Sequence, residues 1–305
     1  LDWQYDFNHL LQNMHGDLLQ PWENDSESPA TEDEETPVPS QFKDFVAFLG
    51  KSREEALAEF KGMIKEHVSE IMLKETDIEK ILLEEFVDVF VPQVWSGIKG
   101  IPPLKLQWLD TLPDKIRVKP RPINPRLYES SQKEFNRLLG YMYRKSRSPW
   151  AACLVVAPKA TKPFIRFCGD YVTINKYIKT GHYPIPIPKN EIHKILGFKI
   201  FLDIDMTNAF HQIILHKETS EKLSIQTPWG QFEPIFMPEG IAPATAMLQE
   251  TVHDLFKDFS EWTIVIFDNM LILAHDYQDG VKKLRKFLKR CEERNVILKM
   301  AKSWI

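Results

Sequence analysis

The stretch that decides the fold is Glu261–His275, which reads EWTIVIFDNMLILAH. It contains two apolar runs, Thr263–Phe267 and Met270–Leu273, on either side of the polar pair Asp268-Asn269. Apolar, β-branched runs around a two-residue polar break predict a β-hairpin, and Asp and Asn are common in tight turns. One interpretation is that the polar pair forms only a turn. The other interpretation is that Asp268 is a candidate metal ligand. The strands on either side are too apolar to face water on both sides, so the hairpin would present this carboxylate from a buried sheet.

A second stretch, Lys199–Ile213 (KIFLDIDMTNAFHQI), supplies another carboxylate. Its apolar run Ile200–Ile204 predicts a strand that ends at Asp205. If the two strands are neighbours, Asp205 and Asp268 repel each other, because like charges in a shared site are unfavourable. A divalent cation removes that conflict, and hard oxygen ligands suit Mg²⁺ or Mn²⁺. Two such ions about 3.5–4 Å apart can activate an attacking hydroxyl and hold a leaving pyrophosphate.

Three motifs in order carry a family resemblance. They are Asp-x-x-x-x-aromatic-His-Gln-Ile from Asp205, Met-Pro-x-Gly from Met237, and aliphatic-x-Asp-(Asp/Asn) ending at Asn269. Together they resemble the reverse transcriptases of gypsy-class LTR retrotransposons (Metaviridae), over roughly Phe86–Ile305. The resemblance implies an α+β fold: the fingers and palm of a right-hand polymerase, with an antiparallel palm sheet backed by helices and a disordered and helical N-terminal extension. It also implies an RNA-directed DNA polymerase that transfers a dNTP to a primer 3′-hydroxyl by a two-metal mechanism.

The same resemblance implies a set of site residues. Asp205, Asp268 and Asn269 match the catalytic positions, and Asp205 and Asp268 would be the ligands of Mg²⁺, with Mn²⁺ as the substitute metal. The residues that match nucleotide-binding positions are Lys159, Arg166, Phe210, Glu239, Gly240 and Lys302.

Two apolar segments, Pro149–Lys159 and Phe164–Tyr171, predict a hairpin that matches the fingers of the family. Arg166 and Lys159 would clamp the triphosphate, Arg through its planar fork of donors. The alternative is a surface hairpin with solvated cations. Phe210 matches the aromatic ring beneath the sugar that excludes a 2′-hydroxyl; the alternative there is a core aromatic residue.

Three positions depart from the family pattern. Asn269 replaces the second Asp of the hairpin tip, Ile266 replaces a Tyr, and Glu239 stands where an aromatic residue is usual. The first of these, expected to lie further round the turn, would lower metal affinity without destroying the site. These departures keep open a catalytically degenerate or domesticated module that binds nucleic acid or has a structural role. An RNA-directed RNA polymerase is a third reading, which the fingers and the Tyr183–Pro186 segment disfavour.

The net charge of −4 conceals an uneven distribution. Residues 1–40 contain ten Asp and Glu and no Lys or Arg, whereas the remainder has a basic excess. A basic excess is typical of a phosphate-binding surface, although an ordinary solvated surface also shows one. We predict an acidic disordered linker over 1–40, a helical and extended connector over 41–110, and reverse transcriptase fingers and palm over 111–305. The thumb and ribonuclease H would lie outside this fragment.

Local signals predict further elements. Ser52 with Glu55, and Thr76 with Glu79, have the capping-box spacing that begins a helix. Periodicity also predicts a strand pair formed by Gln212–His216 and Lys222–Thr227, and helices over Ala244–Phe256 and Asp279–Arg294. Glu85–Phe90 resembles the entry segment of the family, which implies that it is extended.

The remaining expectations concern environment and partners. Cys153, Cys168 and Cys291 are far apart in the sequence, so we predict free thiols in a reducing compartment. No apolar run approaches membrane-spanning length, and we expect no membrane partner. By resemblance, the partners are an RNA or DNA template with its primer, a dNTP, and downstream ribonuclease H and integrase regions of the same polyprotein. The resemblance also implies a cytoplasmic virus-like particle.

Overall fold

The structure, a computed structural model, describes residues 45–46, 50–159, 165–181 and 188–305. The predictions for residues 1–40 and for Tyr183–Pro186 lie outside these ranges. The strands are β1 (Phe45–Val46), β2 (Lys51–Ser52), β3 (Ile116–Arg117), β4 (Tyr143–Lys145), β5 (Trp150–Pro158), β6 (Ile165–Asp170), β7 (Ile200–Asp205), β8 (Ile225–Thr227), β9 (Gly230–Pro234), β10 (Thr263–Ile266) and β11 (Asn269–Ala274). The α-helices are α1 (Arg53–His67), α2 (Glu70–Glu75), α3 (Ile78–Lys80), α4 (Val87–Phe90), α5 (Pro125–Leu138), α6 (Val172–Asn175), α7 (Pro188–Ile195), α8 (Lys217–Lys222), α9 (Ala244–Phe256) and α10 (Tyr277–Arg294). A π-helix covers Ile81–Glu85, and 3₁₀ helices cover Ala209–Gln212, Lys257–Phe259 and Met300–Lys302.

A three-stranded antiparallel sheet, in the order β10-β11-β7, holds both predicted carboxylate motifs. Its strands alternate: Leu202, Ile204, Met270 and Ile272 are buried on one face, whereas the residues between them belong to the other face. Helices α9 and α10 pack against β10 and β11 respectively. Phe256 and Phe287 stack with ring centroids 4.5 Å apart and join the two helices. The predictions of these two helices from their apolar periodicity are confirmed.

A second sheet follows the order β3-β5-β8-β9-β4, with β6 paired to β5. The predicted fingers hairpin is confirmed as the antiparallel pair β5–β6, in which Ala157 lies opposite Arg166. Helix α5 covers this sheet through Phe135, which is fully buried. The rings around Phe135 are those of Tyr143, Phe167, Trp229 and Phe232. Aromatic burial of this kind contributes strongly to the packing of α5 against the sheet.

The N-terminal helices pack against the last residues of the chain. Ser52 and Glu55 form the predicted capping box at the start of α1. At the other end of α1, the main chain of Ile305 donates to the carbonyl of His67 at 2.9 Å and accepts from Ser69 at 2.6 Å. These hydrogen bonds place the helical region beside the 3₁₀ turn that follows α10.

Three local predictions are wrong. The hydroxyl of Thr76 accepts from the N–H of Ile78 at 3.3 Å, but the N-cap of α3 is Asp77 and the N–H of Thr76 donates to the carbonyl of Met72 at the end of α2, so the predicted capping box with Glu79 does not form. Glu85–Phe90 is not extended, because Val87–Phe90 forms α4 and buries Phe90 in the core. Gln212–His216 does not pair with Lys222–Thr227. Strand β8 pairs instead with β9, the next strand along the chain, because a turn of only two residues joins them.

Within the described ranges, no helix has both the length and the apolar character needed to cross a membrane.

Candidate active site

Strand β7 delivers Asp205 to the face of the sheet opposite the helices. Asp205 is only 4% exposed although it ends the strand. Its main-chain N–H donates to the hydroxyl of Ser303 at 3.1 Å, and its carbonyl accepts from the N–H of Lys299 at 2.8 Å. Asp203 lies two residues earlier on the same face and forms a bridge with Trp304. The segment that follows α10 therefore covers the edge of β7 and encloses the Asp205 carboxylate.

The hairpin turn lies one residue earlier than the sequence predicts. Ile266 pairs directly with Asn269, so the two turn residues are Phe267 and Asp268. The prediction of an Asp268-Asn269 turn is wrong because Asn269 is also paired with Asp205 on β7, and this third strand draws it into the sheet. Phe267, the first turn residue, has a positive φ of 56°.

Asn269 lies directly across from Asp205 in the β11–β7 register. Directly opposed residues of an antiparallel pair project from the same face with Cβ atoms about 5 Å apart. The expectation that this residue lies further round the turn is therefore wrong. An Asp at this position would stand beside Asp205 as a third carboxylate, and Asn supplies similar size without the charge.

The surroundings of Asp205 disfavour its ionised form. Burial raises the pKa of the Asp205 carboxyl above its ordinary value, Lys302 opposes this shift, and the charge of Asp268 adds to it. The ammonium of Lys302 lies 3.4 Å from Oδ2 of Asp205. The other oxygen, Oδ1, is buried and has no hydrogen-bond partner among the described residues. A buried acceptor without a partner costs free energy, and a bound cation would remove that cost.

The donor set fits a divalent cation of the Mg²⁺ type. Asp205 and Asp268 interact electrostatically across the β7–turn junction, and the N–H of Met206 donates to the carbonyl of Asp268 at 2.9 Å. No cluster of three or more His, Cys, Asp or Glu suited to a metal occurs among the residues described. Mg²⁺ does not need one, because it is commonly bound by one or two carboxylates together with water and substrate phosphates.

The predicted nucleotide-binding residues converge from two sheets and a loop. The guanidinium of Arg166 on β6 forms an ion pair with Glu239. Burial, and secondarily the charge of Arg166, lowers the pKa of His211 to about 4, so Arg166 lies close to the 3₁₀ helix that carries Phe210. Phe210 itself is half-buried against the core, and its role as a gate stays a prediction.

A group of lysines lies between the fingers hairpin and Asp205. Lys159 and Lys302 are both exposed. Burial lowers the pKa of Lys299, and the charges of Lys302 and Lys159 lower it further. The structure therefore brings the predicted Lys159 and Lys302 near the same point, and it adds Lys299, which the sequence analysis did not identify.

The loop of Glu239 and Gly240 is held in place by Asn175. The Asn175 amide donates to the carbonyl of Gly240 at 2.9 Å and accepts from the N–H of Ala242 at 2.9 Å. Gly240 has φ of 92°, a conformation that glycine adopts without strain. This clamp sets the position of residue 239 relative to the fingers hairpin.

Two buried glutamines position the site, and sequence reasoning missed both. Gln249 on α9 accepts from the N–H of Phe267 at 2.7 Å and donates to the carbonyl of Val265 at 3.1 Å, so it holds the hairpin turn. Gln212 accepts from the N–H of Ile297 at 2.8 Å and donates to the carbonyl of the same residue. The signal was available for Gln249, which lies on the apolar stripe of its helix, three residues before Val252.

The comparisons with known proteins agree with this geometry. Residues 157–305 match the family model described as "Reverse transcriptase (RNA-dependent DNA polymerase)". These residues form a reverse transcriptase domain. The Tf2-7 transposon polyprotein of Schizosaccharomyces pombe is 30% identical to the chain over 190 residues, which is 62% of this chain and 14% of that polyprotein. The Tf2-3 polyprotein of the same organism is 29% identical over 190 residues, with the same coverage of 62% and 14%. The chain thus spans a small part of the curated relatives it matches.

Solved structures share the fold of the reverse transcriptase domain. A crystal structure of the prototype foamy virus protease–reverse transcriptase superposes with a TM-score of 0.71 and 19% identity, over 82% of this chain and 33% of that one. The foamy viral protease–reverse transcriptase in complex with an RNA/DNA hybrid gives 0.68 and 20%, over 82% and 33%. The complex with double-stranded DNA gives 0.69 and 19%, over 82% and 52%. The predicted α+β fold is therefore confirmed.

Proposed function

We propose that this chain is the fingers and palm of an RNA-directed DNA polymerase from a gypsy-class LTR retrotransposon polyprotein. The observation that carries the proposal is the buried Oδ1 of Asp205 beside the Asp268 turn, for which the described part of the chain offers no hydrogen-bond partner. A cation at Oδ1 would stabilise the ionised carboxylate, because Lys302 contacts only Oδ2. The match of residues 157–305 to the reverse transcriptase family model supports the same conclusion.

Asp205 and Asp268 would hold the divalent cations. Bound Mg²⁺ would supply Lewis-acid activation of the primer hydroxyl and charge stabilisation of the leaving pyrophosphate. Arg166 and Lys159 would bind the triphosphate from the fingers side, and Lys302 would turn from Asp205 towards the phosphates. Phe210 would lie beneath the sugar and exclude a 2′-hydroxyl by contact. Gln249, the hydroxyl of Ser303 and the main chain of Lys299 would keep these groups in register.

The nucleic-acid partner is proposed from charge and from the relatives. Foamy viral protease–reverse transcriptase is known in complex with an RNA/DNA hybrid and with double-stranded DNA. The basic excess of residues 41–305 would suit such a partner. Downstream ribonuclease H and integrase regions, and location in a cytoplasmic virus-like particle, remain predictions from resemblance. The same holds for the proposed boundaries at residues 40 and 110.

A non-catalytic nucleic-acid-binding module is the second candidate. Asn269 removes a charge beside Asp205, Ile266 removes a hydroxyl, and Glu239 places a carboxylate on Arg166. Asn269 would weaken metal binding, Glu239 would weaken triphosphate binding, and Ile266 would remove a hydroxyl near the primer end.

Primer extension separates the two candidates. The purified chain is incubated with a primer annealed to an RNA or a DNA template, Mg²⁺ or Mn²⁺, and either dNTPs or NTPs. We expect extension with dNTPs on both templates, and loss of at least about a hundredfold in Asp205→Asn, the scale seen when an electrostatic stabiliser of a transition state is removed.

Asp203→Asn is the matched control. It removes a carboxylate two residues earlier on the same face of β7, where no metal role is proposed, and should leave extension largely intact. Both variants should keep the parent's thermal unfolding profile. If the parent binds primer–template but extends it under no condition, the non-catalytic module is the correct function.

A further inference from the structure

The nucleotide site of this chain contains an internal ion pair. The carboxylate of Glu239 contacts the guanidinium of Arg166, the group that the proposed function assigns to the triphosphate. Both side chains are partly exposed, at 37% for Glu239 and 54% for Arg166, so an incoming anion can reach the pair. The family usually has an aromatic residue at the position of Glu239, which cannot form this contact.

Main-chain contacts bring the two partners together. Arg166 is fixed in the β5–β6 ladder opposite Ala157. Glu239 precedes Gly240, whose carbonyl accepts from the Asn175 amide at 2.9 Å. A Cβ at Gly240 would lie 3.5 Å from the carbonyl of Gly169, so the loop passes directly over the end of β6. The ion pair therefore follows from how the loop is anchored to the fingers hairpin.

A carboxylate on Arg166 occupies the same donors as a phosphate. Arginine presents its N–H groups in a planar fork that matches carboxylate and phosphate oxygens alike. While Glu239 holds that fork, the positive charge offered to a triphosphate is reduced. The Lys302–Asp205 contact is a second pair of this kind. Lys302, which the proposed function assigns to the phosphates, lies 3.4 Å from Asp205, which it assigns to the metal.

We propose that Glu239 competes with the nucleotide triphosphate for Arg166 and thereby sets the nucleotide affinity of this polymerase. The inference rests on the proposed function, because it assigns Arg166 to the triphosphate. Nucleotide binding then requires an exchange of partners: the Glu239 carboxylate leaves the guanidinium and returns to solvent, and a phosphate oxygen takes its place.

The test measures triphosphate binding directly. Titration calorimetry follows the binding of Mg²⁺–tripolyphosphate and Mg²⁺–dTTP to the chain without primer extension. Glu239→Gln, which removes the charge at nearly constant size, should lower Kd about two- to fivefold, the range of an exposed ion pair. Glu239→Ala should do the same. The matched control is Glu85→Gln, because Glu85 pairs with Arg285 at 3.0 Å with similar exposure, 36% and 41%, in a remote part of the fold.

A double-mutant cycle shows whether Glu239 acts through Arg166. In an Arg166→Ala background, Glu239→Gln should change Kd by less than in the parent, because the guanidinium it competes for is gone. An equal gain in both backgrounds would mean direct repulsion of the triphosphate and would overturn the proposal. So would an unchanged or higher Kd in Glu239→Gln, or no measurable tripolyphosphate binding to that variant.

Primer extension, measured separately on the same proteins, keeps the two conclusions apart. If triphosphate binding changes as the double-mutant cycle predicts but no primer is extended, the polymerase function is contradicted. The proposed competition between Glu239 and the triphosphate would still stand.

Discussion

Asn269→Asp probes the electrostatics of the site most directly. The new carboxylate would stand opposite Asp205 in the β11–β7 register, with Cβ atoms about 5 Å apart. Two unit charges at that distance repel by about 0.8 kcal/mol in water and by about 3 kcal/mol at an effective dielectric constant of 20. Residue 269 is exposed, so the lower figure applies, and we expect the free energy of unfolding to fall by about 1 kcal/mol without metal. For a domain of this size that is a decrease in Tm of about 2–4 °C.

This destabilisation should depend on pH in a defined direction. The pKa of Asp205 is already raised above 3.8, chiefly by burial, and a new carboxylate at residue 269 raises it further. At pH values between the pKa of Asp205 in the unfolded chain and its higher pKa in the folded chain, the folded chain binds more protons than the unfolded chain. Stability therefore falls as pH rises through that range. The cost of Asn269→Asp should therefore be present at neutral pH and disappear as pH falls towards 3.8.

Metal should reverse the sign of the effect. A third carboxylate attracts a divalent cation with about twice the energy of the repulsion, or about 1.5 kcal/mol, which corresponds to roughly tenfold tighter binding. A ligand that binds only the folded state stabilises it in proportion to the logarithm of its concentration over Kd. The variant should then gain more Tm from Mg²⁺ than the parent does. Its primer extension should also reach half-maximum at a lower Mg²⁺ concentration.

Thermal unfolding in a chelator and across a Mg²⁺ titration provides the measurement. Asn124→Asp is the matched control, because it adds the same charge at the exposed N-cap of α5, where an Asp still accepts from the N–H of Arg126. The control should show no change in its response to Mg²⁺. An equal decrease in Tm for Asn269→Asp with and without Mg²⁺ would refute a cation site between Asp205 and the turn.

Three further substitutions test other parts of the site. The pKa of His211 in the folded chain is lowered to about 4, so the parent should lose up to about 3 kcal/mol of stability as pH falls from about 6.5 to 4. In urea unfolding at several pH values, His211→Gln should show a weaker dependence of stability on pH. An unchanged pH dependence would contradict the burial of a neutral imidazole. Gln249→Met removes both hydrogen bonds to the hairpin, so stability should fall by about 1–3 kcal/mol and kcat should fall more than KM for dNTP changes; full kcat would show that the turn holds its position unaided. Phe210→Val should increase ribonucleotide incorporation in single-nucleotide extension, and unaltered sugar discrimination in an active variant would assign Phe210 to the core.

Local sequence was sufficient for elements whose stability depends on near neighbours. The apolar stripe of α10 and the capping box at Ser52 predicted their helices, because the contacts involved lie within a few residues. The β5–β6 hairpin was equally accessible, since its strands are close in the chain. The prediction failed at Val87–Phe90, where burial of Phe90 against Phe60 decides the conformation from 30 residues away.

For the site, the sequence by itself determined which residues are present and in what order: two carboxylates at the ends of apolar strands, a fingers arginine, and a glycine loop between them. Only the tertiary structure decided how they meet. The third strand moved the turn to Phe267-Asp268 and set Asn269 opposite Asp205, because a ladder partner far away in the chain fixes the register. The Asn175 clamp likewise turned Glu239 onto Arg166. These contacts join residues that are distant in the chain, so no local sequence pattern predicts them. Only the fold determines that Asn269 lies opposite Asp205 and that Glu239 pairs with Arg166.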